Sequence, residues 1–311
     1  MIKTAEFVSP KHPDKICDFI ADSILDTYLR GDNESRVAIE VMGGHKLITI
    51  NGEVTSHTKI NIEEVVKKIV GSDYKVIVNI VEQSKEIAHG VDTGGAGDQG
   101  IMKGYATSET EEFLPLEYIL ARDLCKKIYE VYPYDGKTQV TVDGGVVKTV
   151  VASFQNTRSG ELLELVKTII KAEEYLINPA GEWHQGGFDA DTGLSGRKLV
   201  IDNYGPEVPI GGGSFSGKDY TKVDRSGAYM ARRVAVELLK GRGAKEVYTK
   251  LAYAIGETLP VMAVAIIDGQ EEEITGYDLS PKGIREYLKL DKVQYADTAV
   301  WGHYGRNFEW K

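Results

Sequence analysis

One supersecondary pattern occurs three times along the chain, and it restricts the possible folds more than any other feature. Residues 36–50 (RVAIEVMGGHKLITI) read as two β-rich runs joined at Gly43-Gly44. A helix with apolar Ile62, Val65, Val66 and Ile69 follows, then the strand VIVNIV at 76–81. Residues 138–153 (TQVTVDGGVVKTVVAS) repeat the pattern, with a turn at Gly144-Gly145, a helix near 160–171 and a short strand at 175–177. The third copy is looser, with strands near 247–255 and 260–267 and a helix near 281–289. Three β-β-α-type units predict an α+β protein whose antiparallel sheets carry helices on one face.

Two further helices frame candidate chemistry. From Pro13 the residues Ile16, Phe19, Ile20, Ser23, Ile24, Thr27 and Tyr28 form an amphipathic stripe, with Pro13 in the first turn, where its missing N–H costs nothing. His12, Asp14 and Lys15 therefore sit at a helix N-terminus, whose unpaired N–H groups and partial positive charge suit an anion. Gly227, Met230, Ala231, Val234 and Leu238 mark a second helix that stops around Gly241, with Asp224 and Arg225 in its first turn.

The loop feeding that second helix, GGGSFSGKDYTKVDRS (211–226), nearly spells a phosphate-binding loop. Gly212, Gly217 and Lys218 fit G-x-x-x-x-G-K-[ST], but Asp219 stands where a hydroxyl should meet magnesium. Lys218 and Lys222 can both reach an anion at the helix start, while Asp224 and Asp14 offer hard oxygen ligands to magnesium. GLSGRK at 193–198 adds Arg197 and Lys198, and YDGK at 134–137 adds Lys137. So many cations beside glycines point to a polyphosphate site.

The overall balance runs the other way: 37 basic against 47 acidic residues give a net charge of −10, which opposes binding to nucleic-acid backbones. No nucleic-acid partner is expected. MIKTAEFVSP lacks the build of a signal peptide, no apolar run reaches the length of a membrane span, and Cys17 and Cys125 lie far apart. A cytoplasmic protein with no membrane partner and no disulfide framework is the expectation.

HPDKICDFIADSILD (12–26), GAGDQGIMKGYATSET (95–110), INPAG (177–181), GLSGRKLVIDNYG (193–205), the 211–226 loop and YGRNFEWK (304–311) occur in that order. With these motifs the chain resembles, from end to end, the S-adenosylmethionine synthetase (methionine adenosyltransferase) family. The resemblance implies three similar α+β domains about a pseudo-threefold axis, set here at 1–100, 101–184 and 185–311, with segments exchanged between them in space. It implies a reaction in which the thioether sulfur of L-methionine attacks C5′ of ATP, and the departing triphosphate is hydrolysed to pyrophosphate and phosphate. It also implies Mg2+, K+ and a homodimer or homotetramer with active sites at the subunit interface.

Carried over by position, the family's roles fall as follows. His12 contacts the triphosphate near the scissile bond. Asp14 and Asp224 hold Mg2+, Glu40 the K+, and Asp98 lies near the metal-phosphate end. Lys137, Arg197, Lys198 and Lys218 bind phosphates, with Asp135, Ser214 and a stacking Trp183 completing the nucleotide site. Asp191 faces both ribose and methionine, while Glu53, His89 and Lys222 contact methionine. His12, Lys137, Arg197 and Lys218 are the expected catalytic group.

Departures from the family pattern cluster near the methionine and adenine pockets. Only VDT and a glycine separate HG (89–90) from GAGDQG, so the usual gating loop is short, and His89 replaces a Gln. Glu182-Trp183 replaces Arg-Phe, which removes one expected nucleotide contact. A triphosphate hydrolase and a synthetase homologue using another thioether are the alternatives.

Overall fold

In the computed structural model, residues 1–82 and 94–311 are described. The first block runs β1 (Ile2–Val8), α1 (Pro13–Gly31), β2 (Arg36–Gly44), β3 (Leu47–Thr55), α2 (Ile62–Val70) and β4 (Lys75–Val81). The second runs β5 (Gly100–Thr107), α3 (Leu116–Val131), β6 (Gly136–Asp143), β7 (Val146–Phe154), α4 (Ser159–Ile169) and β8 (Glu174–Ile177). The third has β9 (Gly193–Leu194), a single-turn α5 (Leu199–Asp202), α6 (Val223–Arg242), β10 (Glu246–Tyr253), β11 (Met262–Ile267), β12 (Gln270–Glu273) and α7 (Pro281–Leu288).

Among the described residues these strands form three four-stranded sheets, ordered β4-β3-β2-β9, β1-β6-β7-β8 and β12-β11-β10-β5. Each block gives its first strand to another block's sheet: β1 pairs with β6, β5 with β10 and β9 with β2, all antiparallel. The long helix after each donated strand covers a sheet, α1 on β2 and β9, α3 on β1 and β6, and α6 on β5 and β10. The protein is thus α+β, with three similar units interlocked by exchanged edge strands.

The expected hairpins and the helices near 62–70, 160–171 and 281–289 are present, with differences of physical interest. The first hairpin turns at His45 and Lys46, whose φ values are 50° and 65°, and not at Gly43-Gly44. Those two glycines lie within β2 because another segment presses on them: a Cβ on Gly43 would sit 2.7 Å from Phe188, and one on Gly44 2.9 Å from Thr192. The second hairpin does turn at Gly144-Gly145. In the third unit a turn at Asp268 and Gly269 adds β12 antiparallel to β11, whereas β4 and β8 return parallel to their neighbours. Helix α3 has no counterpart in the expectations above; Tyr118, Ala121, Cys125 and Ile128 have helical spacing, but buried Glu117 and Arg122 interrupt the stripe.

α1 is buried around most of its girth. Ile20, Ile24 and Tyr28 of the expected stripe are buried, while Ile16, Phe19, Ser23 and Thr27 are only half-buried. A second buried stripe consists of Asp14, Asp18, Asp22 and Asp26, at 1%, 0%, 0% and 6% exposure. The C-terminal end also enters the core: Trp310 is fully buried, with its ring 4.0 Å from that of Tyr229.

Helix and sheet approach closely at Gly104 of β5, where a Cβ would lie 2.2 Å from the backbone of Ala231 in α6. Gly104→Ala is therefore expected to push α6 off its sheet at a cost of about 2 kcal/mol. Urea unfolding measures it, and an unchanged midpoint would contradict the close approach.

Candidate active site

The first cluster forms around the start of α1. His12 is the N-cap, and its Nδ1 accepts the Asp14 N–H at 3.2 Å. That bond leaves the ring proton on Nε2, so the imidazole is a donor at its free nitrogen. Burial, together with Lys198 and Lys137, lowers the His12 pKa to about 4 against the opposing pull of Asp14 and Asp191. His12 is neutral at physiological pH and donates without titrating there.

Asp14 is 1% exposed. Burial pushes its carboxyl up, but Lys198 and the Leu194 N–H outweigh burial and hold it below the usual carboxylate range. Its Oδ1 accepts the Leu194 N–H at 2.9 Å and lies 3.5 Å from Arg197 Nε, while Oδ2 accepts from Lys198 Nζ at 2.5 Å. Asp135 Oδ2 accepts the Gly187 N–H at 2.9 Å, which ties the start of β6 to the turn leading into Asp191. Lys137, in β6, pairs with Ser153 of β7, and Ser153 Oγ accepts from Trp183 Nε1 at 3.0 Å. The structure thus brings together His12, Asp14, Asp135, Lys137, Trp183, Asp191, Arg197 and Lys198.

The second cluster forms around the 211–226 loop. Lys218 Nζ donates to Asp224 Oδ2 at 2.6 Å, and Asp224 Oδ1 accepts the Gly213 N–H at 2.9 Å. Lys218 bridges Ala38 of β2, which also pairs with Glu53 of β3, so Lys218 and Glu53 flank one strand position. Glu40 Oε2 accepts from Ser195 Oγ at 2.5 Å. Exposed Asp98 precedes Gly100, where a Cβ would lie 3.8 Å from Asp224 Oδ1. His89 falls outside the described residues.

The two clusters meet where loops 193–198 and 211–218 pack. Ser195 reaches Glu40, and a Cβ on Gly196 would lie 2.6 Å from the side chain of Ser214. Ser214 Oγ is buried with no hydrogen-bond partner among the described residues. A continuous surface results, lined by cations whose counter-charges are neighbouring carboxylates. Such pairs keep Lys198 and Lys218 in place without stranding their charge, while Lys137 is exposed.

Several residues at this surface were not foreseen from the sequence. Asp219, where the phosphate-loop pattern wants a hydroxyl, is fully buried and structural: it accepts from the Val37 and Thr221 N–H groups at 2.7 Å each and from Lys222 Nζ at 2.6 Å. Glu182 accepts the Ser159 N–H at 2.7 Å, so its negative charge serves the N-terminus of α4. Asp22 and Arg225 form a buried two-bond fork at 2.7 and 2.9 Å. The signal for the aspartates was the four-residue spacing in DKICDFIADSILD, beside the apolar stripe.

Among the described residues no group of three or more His, Cys, Asp or Glu side chains forms a metal cage. Both cysteines are buried and unpaired. No helix among the described residues is long and apolar enough to cross a membrane.

Comparison with known proteins agrees with this geometry over the whole chain. Family models described as the N-terminal, central and C-terminal domains of S-adenosylmethionine synthetase match residues 1–86, 93–183 and 185–311. An S-adenosylmethionine synthase of Mycoplasmopsis pulmonis is 40% identical over 350 residues, covering 98% of this chain and 93% of the relative. One from Deinococcus radiodurans is 38% identical over 384 residues, covering 99% and 94%. The solved structure of an unusual S-adenosylmethionine synthetase from Campylobacter jejuni superposes with a TM-score of 0.89 at 34% identity, covering 99% of this chain and 96% of that one. Full-length identity at this level, with a family model matching each of the three units, places the chain in the S-adenosylmethionine synthetase family.

Proposed function

We propose that this chain is a methionine adenosyltransferase that makes S-adenosylmethionine from ATP and L-methionine. The observation that carries the proposal is the pair of loops holding Arg197, Lys198 and Lys218 against Asp14 and Asp224, beside a neutral, hydrogen-bond-donating His12. In the reaction the sulfur forms a bond to C5′, the C5′–O bond breaks, and its electron pair leaves on the triphosphate. The product sulfonium is positive and no proton moves, so no general base is needed. The barrier lies in the departing negative charge, which fixed donors stabilise best.

Each residue has a task in that step. Lys137, Arg197, Lys198 and Lys218 bind the phosphates, and His12 Nε2–H donates to the leaving oxygen. Trp183 stacks on adenine, with Asp135, Asp191 and Ser214 around the nucleoside. Glu53, Asp191 and Lys222 hold the amino and carboxylate groups of methionine, and His89 takes the place of a glutamine there. Mg2+ keeps most of its water shell and needs one or two carboxylates beside substrate phosphates, a donor set that Asp14 and Asp224 fit. When bound, it neutralises charge on the leaving triphosphate. Glu40 is the carboxylate suited to K+, and Asp98 lies toward the Asp224 end.

The domains fall at 1–100, 101–184 and 185–311, with the donated strands as the exchanged segments. A homodimer or homotetramer is supported by apolar residues left exposed on the sheets, among them Met42 at 51%, Ile77 at 42%, Ile101 at 50% and Val146 at 52%. Both substrates are metabolites of the cytoplasm, where the protein is placed.

Incubation with ATP, methionine, Mg2+ and K+ is expected to give the sulfonium product by mass spectrometry, and chelation of Mg2+ to abolish it. Phosphate release that ignores methionine would instead establish a hydrolase. Lys218→Ala is expected to lower kcat by about 10²-fold or more, as for loss of one charge-stabilising donor. Glu182→Ala should behave differently, lowering stability by about 0.5 kcal/mol through the α4 terminus. Its KM for ATP should stay unchanged, since Glu182 faces Ser159.

A further inference from the structure

We infer that Asp18 and Asp22 are positioning residues for the adenosyl transfer, each fixing the main chain next to a phosphate-binding cation. The inference rests on the assignment of Arg197, Lys198 and Lys218 to the phosphates. Asp14, Asp18, Asp22 and Asp26 recur every four residues and wind along one buried side of α1. At 1.5 Å per residue the row is about 18 Å long, enough to span the site and continue past it.

Each carboxylate grips a different stretch of backbone. Asp18 Oδ1 accepts the Gly196 N–H at 2.8 Å, immediately before Arg197 and Lys198. Asp22 Oδ1 accepts the Gly217 N–H at 2.8 Å, immediately before Lys218. The Arg225 guanidinium that forks onto Asp22 also donates to the Lys218 carbonyl at 3.0 Å, so the backbone is held on both sides of that lysine. Asp26 uses the same chemistry elsewhere, accepting the Tyr295 and Ala296 N–H groups at 2.7 and 2.8 Å.

The two central rungs already have cationic partners inside the protein. Lys15 donates to Asp18 Oδ2 at 2.9 Å and to Asp202 at 2.5 Å, and Arg225 neutralises Asp22. Neither aspartate has a cation left over for the reaction, and neither is exposed. What each contributes is the orientation of an amide, and through it the direction in which the next side chain leaves the backbone. Lysine and arginine have many rotamers, so a fixed Cα–Cβ vector narrows where their charged ends can lie.

Asp26 serves as an internal control, because it is buried on the same helix but holds the segment near 294–296. The test uses calorimetric titration with inorganic tripolyphosphate and Mg2+, steady-state KM and kcat, and thermal unfolding, on the full chain. Asp18→Ala should weaken tripolyphosphate binding about tenfold, raise KM for ATP, lower kcat and leave KM for methionine unchanged. Asp18→Asn keeps an oxygen facing Gly196 and should restore most of that binding. Asp22→Asn should weaken binding as well, since its amide no longer holds Arg225. Asp26→Asn should lower the unfolding temperature while binding tripolyphosphate like the unmodified chain.

A folded Asp18→Ala that binds tripolyphosphate normally overturns the inference, as does an Asp18→Asn no better than Asp18→Ala. Lys218→Ala separates this from the underlying assignment. If Lys218→Ala also binds normally, the phosphate assignment itself fails; if it binds weakly while Asp18→Ala does not, only the positioning role is lost.

Discussion

Four carboxylates buried along α1 govern how the rest of the chain is arranged. An aspartate taken out of water without partners costs several kcal/mol, so each must find donors in the folded state. Each receives a side-chain donor and at least one main-chain N–H of a loop that would otherwise have little to hold it. Asp18, Asp22 and Asp26 meet Gly196, Gly217 and Tyr295 across 178, 195 and 269 positions of sequence. The demand of the helix for donors and that of the loops for acceptors are satisfied by the same bonds. The site loops therefore acquire fixed shapes only once the C-terminal block has docked on α1.

Strand exchange makes the same point at a larger scale. β1, β5 and β9 each complete a sheet built mainly by another block, so removing one block exposes an unpaired edge in another. The long helices α1, α3 and α6 then cover both a donated strand and its host. The proposed catalytic surface lies along such a join: His12 follows β1, Lys137 lies in the β6 strand that β1 pairs with, and Arg197 follows β9 on β2. A residue set scattered over some two hundred positions is close in space because exchange places the blocks against one another.

The sequence showed the hairpins, the helices after them and α1 and α6, since these depend on local periodicity and turn chemistry. It also showed the charged motifs, because a polyphosphate site needs lysines, arginine and carboxylates beside glycines. Long-range constraints were hidden. Gly43 and Gly44 looked like a turn, yet their lack of a side chain admits Phe188 and Thr192 from far along the chain. Asp219 looked like a damaged metal ligand, whereas its carboxylate fastens the loop to Val37. The buried acids of α1 were visible at their regular spacing, but single-residue statistics assign aspartate to the surface, and only the partners explain the exception. β1, β5 and β9 were missed for a related reason: each is an isolated strand whose sheet partner is remote.

Electrostatics connects the scaffold to the proposed chemistry. Lys198 and Lys218 are neutralised by Asp14 and Asp224, and the same two carboxylates suit Mg2+. If triphosphate oxygens drew these lysines away, each aspartate would lose its lysine while Leu194 or Gly213 still held one of its oxygens. A buried carboxylate in that condition is costly unless another cation arrives. Under the proposed function, Mg2+ arriving with the nucleotide would meet that need, and metal and nucleotide binding would reinforce one another. Free triphosphate would gain the lysines but leave the carboxylates exposed to its own negative charge. On the proposed function, selection for the metal-bound nucleotide would follow from two salt bridges, with no metal cage among the described residues.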